Sequence, residues 1–377
     1  MKHYSYLEEE LLERKKQRTY PGQATQAKFL LGGIGTGNVS VGSRGQLCDW
    51  EIFNSQGKGN KLPYTFFAIR AQAPGEPYVA KVLESKLEGS FAGPCGFYSP
   101  EIAGLPRFAE SELCGEYPFV SVTLKDSGVP VEVTLEAFTP FIPLNADDSG
   151  IPGAVLRYRV RNKASSAVDV TIAGSIANVV GLEKIDNTGY VRVKEQVRNR
   201  YLEQPELRGL FFDSPQLESD HLHFGSMALL TTDLNVTVKE EWLDGYWNDS
   251  IHDFWDDFCT DGHLEMHSEA EGIRGSSSQK DKLRIGSIGI HHVLNPGEDK
   301  VFEFVLAWHF PNRPKGWVGG ITIPDQDGHG IVKNYYATLF KDAWHAGSYL
   351  LTELPRREAI ARLSPCNVRQ YVAFLCD

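Results

Sequence analysis

The sequence lacks the patterns of a redox, zinc-binding or membrane-spanning protein. Its six cysteines are scattered, and no pair has C-x-x-C spacing. No apolar run approaches the roughly 18 residues that a membrane helix needs. Residues 1–18 hold no apolar core of signal-peptide length and instead predict a short charged helix. We therefore expect a cytoplasmic protein with reduced thiols and no membrane span.

Basic charge is also scarce, and two common ligand-binding motifs are missing. The net charge of −11 argues against nucleic acid or an anionic membrane as a partner, because both select basic surfaces. Gly35 and Gly37 look like the start of a dinucleotide loop, but Ser40 stands at the third glycine position and β-type residues follow. No G-x-S-x-G nucleophile motif is present. We predict no cofactor, and a neutral or cationic ligand fits the charge better.

The densest glycine run lies between Phe29 and Asn54. Its glycines are Gly32, Gly33, Gly35, Gly37, Gly42 and Gly45. Such density indicates backbone that needs positive φ or very close approach, so we predict a glycine-bent hairpin. The charged and aromatic residues near its end are Arg44, Asp49, Trp50 and Glu51. They either reach across a domain interface or form an internal ion pair that pins the hairpin, and in neither case are they catalytic.

Most of the remaining chain alternates apolar and polar residues with a period of two. The alternation is clearest at residues 120–124, 131–137, 154–161 and 168–172. Later candidate strands are His221–Thr231, Ile285–Val293 and the almost continuously apolar Lys300–Phe310, which should lie centrally. Because each strand buries one face and turn sequences separate the strands, we predict antiparallel sheets stacked face to face.

Two regions depart from this β pattern. Residues 185–215 are rich in Arg, Glu and Gln, and we predict a surface excursion there. From Ile331 the apolar residues recur at helical spacing, which predicts one long helix that packs on the sandwich and ends at Pro355. Two short helical pieces follow, and their apolar side chains have no obvious surface to bury against. They predict an exposed apolar patch and self-association of the isolated chain.

The strongest candidate for carboxylate chemistry is Trp242–Phe258. Its aspartates stand among tryptophan and tyrosine residues and are Asp244, Asp249, Asp253, Asp256 and Asp257. Glycosidases use paired carboxylates beside their sugar substrate. The interpretation that we favour is structural: a helix with its aromatic side chains packed inward and its aspartates on the wet face.

The histidines carry a weaker hint of a metal site. His221 and His223 would share one face of a strand, as metal ligands do. The adjacent His291 and His292, however, must point to opposite faces, and no patterned carboxylate joins the histidines. We therefore predict no metal site.

Four segments of the chain closely resemble glycoside hydrolase family 116, the family of β-glucosidases and bile-acid-type glucosylceramidases. These four motif segments follow the family's order: FLLGGIGTGNVSVGSRGQLCDWEIFN (Phe29–Asn54), AFTPFIPLNADDSGIP (Ala137–Pro152), VLAWHFPNR (Val305–Arg313) and NYYATLFKDAW (Asn334–Trp344). Four ordered matches are more specific than any one alone. Proteins of the family join an N-terminal β-sandwich to a C-terminal (α/α)6 barrel that carries the catalytic carboxylates.

The resemblance implies a supersandwich of two large antiparallel sheets over residues 1–330. Residues 331–377 would be linker helices leading towards a barrel that is absent from this chain, as in a truncated or split reading frame. The chain would then be a non-catalytic domain of a retaining β-glucosidase or glucosylceramidase, inactive alone. It would support a catalytic domain, in cis or as a separate chain, and a β-glucoside or glycan is the candidate ligand.

Two alternatives remain open. One is a free-standing carbohydrate-binding module that uses Trp242, Trp247 or Trp317 as stacking platforms, and glucan binding by the isolated chain would favour it. The other is a self-sufficient hydrolase that uses the carboxylates of Trp242–Phe258.

Overall fold

The computed structural model describes residues 17–87, 100–102, 104–185, 191–243, 250–266, 283–315 and 330–362, and these are mainly β. The strands are β1 (Thr19–Pro21), β2 (Lys28–Leu31), β3 (Val39–Gly42), β4 (Leu47–Cys48), β5 (Phe66–Gln72), β6 (Val79–Ser85), β7 (Arg107–Phe108), β8 (Glu110–Glu116), β9 (Phe119–Lys125), β10 (Val131–Phe138), β11 (Gly153–Asn162), β12 (Val168–Asn178), β13 (Leu182–Ile185), β14 (Val191–Val193), β15 (Arg198–Gln204), β16 (Leu207–Asp213), β17 (Ser226–Thr231), β18 (Val236–Lys239), β19 (Arg284–Leu294), β20 (Asp299–His309), β21 (Asn312–Pro314) and β22 (Ile331–Lys333).

Two large sheets dominate the described residues. The nine-stranded sheet has the spatial order β1-β8-β9-β10-β11-β20-β17-β16-β15, and the six-stranded sheet has the order β18-β19-β12-β5-β6-β7. Every pairing in them is antiparallel except that of β6 with β7. The remaining pairings are the meander β2-β3-β4 and the two-stranded pairs β13-β14 and β21-β22. The prediction of a large antiparallel two-sheet sandwich is confirmed.

The period-two pattern explains why the sheets stack. On β10, Val131, Val133 and Leu135 are buried while the residues between them are more exposed. The register places Leu135 opposite Tyr158 of β11, which is also buried. The buried side chains of both sheets form one apolar core. As predicted, the apolar strand β20 lies inside its sheet, between β11 and β17.

One helix covers the outer face of the nine-stranded sheet, and another packs against side chains of the six-stranded sheet. They are α1 (Ala146–Ser149), α2 (Ser250–Asp261), a 3₁₀ turn (Tyr335–Thr338) and α3 (Ala343–Thr352), and residues 354–362 are also helical. Trp344 and Leu350 of α3 belong to a second apolar cluster with Val305 and Leu230 of the sheet. In α2, Phe254 stacks on Trp242 with ring centroids 4.9 Å apart. The prediction of C-terminal helices is therefore confirmed.

The prediction of one long helix from Ile331 to Pro355 is wrong. That stretch contains β22, the 3₁₀ turn and α3, which begins only after Asp342. Asn334 ends the first piece because its side chain binds the Phe310 carbonyl, and the Asp342 side chain caps α3. Pro355 stands in the first turn of the helical residues 354–362, where its missing N–H leaves no intrahelical bond unmade.

The described part of the C-terminal region packs on the sandwich, and Ile360, the one described residue of the predicted exposed apolar patch, is half-buried. The exposed patch and the self-association stay predictions. Leu354, Arg357 and Ala361 are buried against the sandwich. The Arg157 guanidinium donates to Glu358 over 2.6 Å. These helical residues pack on the outer face of the nine-stranded sheet, a surface that the sequence did not reveal for them. Residues 363–377, and with them the second predicted helical piece, lie outside the described residues.

Two further strand predictions need correction. Residues 185–215 are not merely a surface excursion, because β15 and β16 extend the nine-stranded sheet there. Their arginines lie on the edge strand, where Arg198 and Arg200 pair with Asp213 over 2.6 and 3.1 Å, and charge is common on exposed edges. The strand predicted from His221 begins only at Ser226.

Candidate functional site

The glycine loop, residues 32–38, joins β2 to β3 as the predicted hairpin turn. Gly35 has φ +74°, and a Cβ there would meet no atom within 4 Å, so the backbone conformation is what favours glycine. Gly33 differs, because its φ is not positive but a Cβ would lie 2.6 Å from the Ile151 carbonyl oxygen. Gly35 is therefore favoured by its positive φ, and Gly33 is favoured because the backbone of Ile151 passes too close for a Cβ.

This loop packs against the second motif segment. The Gly32 N–H donates to Thr139 Oγ1 over 2.8 Å, and the Ile34 N–H donates to the Ser149 carbonyl over 2.7 Å. Ser149 is the last residue of α1. The loop and the helix are therefore joined through the backbone, more than 100 residues apart in sequence.

The third and fourth motif segments meet the first one. Trp308 on β20 is buried, and its indole N–H donates to the Thr36 carbonyl over 2.8 Å. Asn54 Nδ2 donates to the Phe310 carbonyl over 3.0 Å, and Asn334 Nδ2 donates to Asn54 Oδ1 over 2.7 Å. All four motif segments thus converge at one place. We refer to this convergence as the motif junction.

Arg44 and Asp49 make buried ion pairs beside the junction. The Arg44 guanidinium lies 3.3 Å from Glu84 and 3.4 Å from Glu101. Asp49 accepts from Lys28 over 2.8 Å. Burial alone would raise the pKa of Asp49, but its hydrogen bonds, first from Lys28, hold the pKa below its usual value. Within the described residues, both side chains therefore pin the meander internally.

Trp50 and Glu51 also have internal positions. Trp50 is buried, and its indole nitrogen has no hydrogen-bond partner among the described residues. Glu51 accepts from the Gly57 N–H over 3.0 Å and from Lys58 over 2.6 Å. Burial alone would raise the pKa of Glu51, but these hydrogen bonds hold the pKa below its usual value. A domain interface formed by Arg44, Asp49, Trp50 and Glu51 stays a prediction.

The carboxylates of α2 are arranged differently from the expected wet face. Asp253 and Asp257 lie 3.4 and 3.1 Å from the ammonium group of Lys239, which is buried. Only Asp256 of these three aspartates is exposed. Asp244 and Asp249 lie outside the described residues. The helix and its inward-packed Phe254 agree with the structural interpretation.

Trp242 cannot serve as a stacking platform, because its ring is buried. It stacks on Phe254, and its indole N–H donates to Ser287 Oγ over 2.8 Å. This removes one of the three platforms of the carbohydrate-binding alternative. Trp247 and Trp317 lie outside the described residues.

His291 and His292 form separate carboxylate pairs, whereas His221 and His223 precede β17 and do not lie on a strand. His291 Nε2 lies 3.0 Å from Asp169, and His292 Nε2 lies 2.8 Å from Asp233. The hydrogen bond with Asp169 raises the pKa of His291. Across the described ranges, no three His, Cys, Asp or Glu side chains are placed to hold a metal ion. The absence of a metal stays a prediction.

The family model described as "beta-glucosidase 2, glycosyl-hydrolase family 116 N-term" matches residues 29–356. The chain belongs to glycoside hydrolase family 116. The match contains all four motif segments, so the junction is a feature of this family 116 domain. Among the helices that the structure describes, none is long and apolar enough to cross a membrane.

Solved structures give weaker likenesses to this family 116 chain. A polysaccharide lyase has a TM-score of 0.30 and 10% identity, with 75% of this chain and 32% of the lyase covered. A protein assigned as a kojibiose phosphorylase, from the human microbiome, has a TM-score of 0.29 and 8% identity, with 77% and 25% covered. A protein assigned as an aldose 1-epimerase, from Escherichia coli K12, has a TM-score of 0.30 and 10% identity, with 75% and 99% covered. At these TM-scores the likenesses carry no argument. The chain spans less than a third of the lyase and a quarter of the phosphorylase.

Three apolar residues of the family 116 junction are exposed, although the helical spacing after Ile331 placed Tyr335 in a stripe packed on the sandwich. Ile34, Leu144 and Tyr335 are 61%, 89% and 61% exposed. All three belong to the motif segments that carried the resemblance. The available signal was an apolar residue inside a turn-forming stretch, as in Pro-Leu-Asn-Ala at residues 143–146.

Proposed function

We propose that this chain is the non-catalytic N-terminal domain of a family 116 β-glucosidase or glucosylceramidase. In this proposal it packs against a catalytic (α/α)6 domain, in cis or as a separate chain, and the complete enzyme hydrolyses β-glucosides. The observation that carries the proposal is the match of residues 29–356 to the family's N-terminal domain. Nearly all of the described residues fall within that match.

The surroundings of the α2 carboxylates support a non-catalytic role. A glycosidase needs two carboxyl groups that face a sugar across roughly 5–9.5 Å. Asp253 and Asp257 instead share the buried ammonium of Lys239, and Asp253 also accepts from the Leu243 N–H over 2.8 Å. These side chains already have protein partners. Using them on a substrate would cost the buried Lys239 ammonium these two ion pairs.

The thiols are compatible with the cytoplasmic location that we also propose. Cys48, Cys114 and Cys259 are free, and Cys48 and Cys259 are buried. Burial is the main reason why the pKa of Cys48 is raised to about 12. Such a thiol stays protonated and unreactive at neutral pH.

Hydrolysis of an aryl β-glucoside by the purified chain tests the proposal. We expect no turnover by the chain alone. The control variants are Asp253→Asn, which removes a Lys239 partner, and Asp256→Asn, which changes an exposed carboxylate. Turnover by the wild type that either substitution abolishes would overturn the proposal and favour a self-sufficient hydrolase.

A further inference from the structure

We infer that Ile34, Leu144 and Tyr335 form the surface on which the catalytic domain docks. We call these three side chains the apolar face. The inference rests on the proposed function, since it names the surface that the partner of that proposal would cover.

The three residues surround one short element. The Ile34 N–H binds the last residue of α1, and Leu144 immediately precedes Asn145, the N-cap of α1. Tyr335 reaches α1 through its hydroxyl, which donates to Asp147 over 2.8 Å. A four-residue helix is only about 6 Å long, so the three residues lie around one short element, and the inference places their exposed side chains on one surface. Single exposed apolar residues are ordinary, whereas a group of them marks an interaction site.

Leu144 is the most informative of the three. Its φ is +65°, a left-handed conformation that favours glycine or asparagine, and its side chain is 89% exposed. The loop is held in this shape by the Asn145 N–H on the Ile142 carbonyl and by Ser149 Oγ on the Ile142 N–H. The strained leucine therefore gains almost no burial within the chain. Contact with a second protein surface would bury the Leu144 side chain, which the isolated fold leaves exposed.

The support beneath the apolar face is rigid. Asp148 of α1 is buried and accepts from Arg357 over 2.7 Å. Asn145 accepts from the Asp148 N–H over 3.0 Å, which fixes the start of the helix. A surface that is ordered before binding loses little entropy when it binds. The apolar face is thus preorganised for a partner.

Two observations favour the catalytic domain as the occupant. Membership of the family's N-terminal domain implies a catalytic-domain partner. All three residues also lie in the motif segments that meet at the junction. Leu234, which is 70% exposed, lies outside these segments and provides a matched control.

The test measures binding of the full chain to a separately expressed (α/α)6 domain of a family 116 β-glucosidase, by calorimetry and sedimentation. We expect the wild type to bind and Leu144→Asp to weaken binding at least tenfold. Leu234→Asp should bind as the wild type does. Leu144→Gly should also weaken binding while raising the melting temperature, because glycine relieves the positive φ. If Leu144 acted only on stability, a variant with a raised melting temperature would not lose binding.

The outcomes distinguish the two proposals. If the wild type does not bind the barrel domain, the proposed function and the docking surface both fail. If the wild type binds and both Leu144 variants bind equally well, only the assignment of this surface fails. A dimer of the isolated chain that Leu144→Asp dissociates would assign the apolar face to a second copy and overturn the inference.

Discussion

The sharpest stability prediction concerns Arg357, which ties the helical residues 354–362 to the second motif segment. Its side chain is fully buried, and its Nε donates to Asp148 Oδ1 over 2.7 Å. Its Nη1 donates to the carbonyls of Tyr349 and Leu350, and its guanidinium carbon lies 4.1 Å from the centroid of the Tyr349 ring. Arg357→Met keeps most of the stem and removes the charge together with these hydrogen bonds.

The structure sets the expected magnitude. Removing one partner of a buried ion pair typically costs about 3–5 kcal/mol, because the other charge stays buried. Asp148 would keep three donors: Arg356 and Asn145, each 2.9 Å from Oδ2, and the Tyr349 hydroxyl, 3.4 Å from Oδ1. We therefore expect Arg357→Met to lower the free energy of unfolding by about 3 kcal/mol, the lower end of that range. Arg356→Met should cost much less, since that side chain is 45% exposed and solvent screens its charge.

Urea denaturation at neutral pH measures both variants. Hydrogen exchange of amides 354–362 should accelerate in Arg357→Met and stay near the wild-type rate in Arg356→Met. The double variant Asp148→Asn/Arg357→Met should be more stable than the sum of the single changes predicts, because it leaves no unpaired buried charge. The reasoning fails if Arg357→Met and Arg356→Met cost the same.

Two further predictions concern the glycine loop and His291. Gly33→Ala should destabilise more than Gly35→Ala: the first Cβ would lie 2.6 Å from backbone, at a cost towards the upper end of about 1–3 kcal/mol, whereas the second meets open space and adds about 1 kcal/mol of strain. Equal melting of both variants would contradict this. Asp169→Asn should cost more stability at pH 5.5 than at pH 8.5, because a raised His291 pKa stabilises the fold below the unfolded pKa and loses that effect as pH rises through the folded pKa. Denaturation at the two pH values tests it, and a pH-independent cost would show that the ion pair contributes nothing.

Some features of the site were readable from the sequence because they are local. Gly35 at positive φ and the alternation on β10 are set by neighbouring residues, and both were predicted. A helix within Trp242–Phe258 was predicted by the same kind of reasoning, and the structure has it at Ser250–Asp261. The partner of its aspartates was missed, because Lys239 lies on β18 and gives no periodic signal.

Other features depend on where distant segments meet. Asn54 and Asn334 are 280 residues apart and hydrogen-bonded. Asp148 and Arg357 are 209 residues apart and form a buried ion pair. The helical spacing after Ile331 predicted one long helix wrongly for the same reason. Tertiary hydrogen bonds of Asn334 separate β22 from the helical residues that follow.

The sequence by itself therefore determined the fold class and the family, since strand alternation, turn residues and ordered motifs are properties of short stretches. The tertiary structure decided what those motifs do together. It brought the four segments to one junction and buried Trp242 and Arg357. It also left Leu144 exposed in a left-handed conformation, because burial and strain depend on contacts that only the folded chain makes.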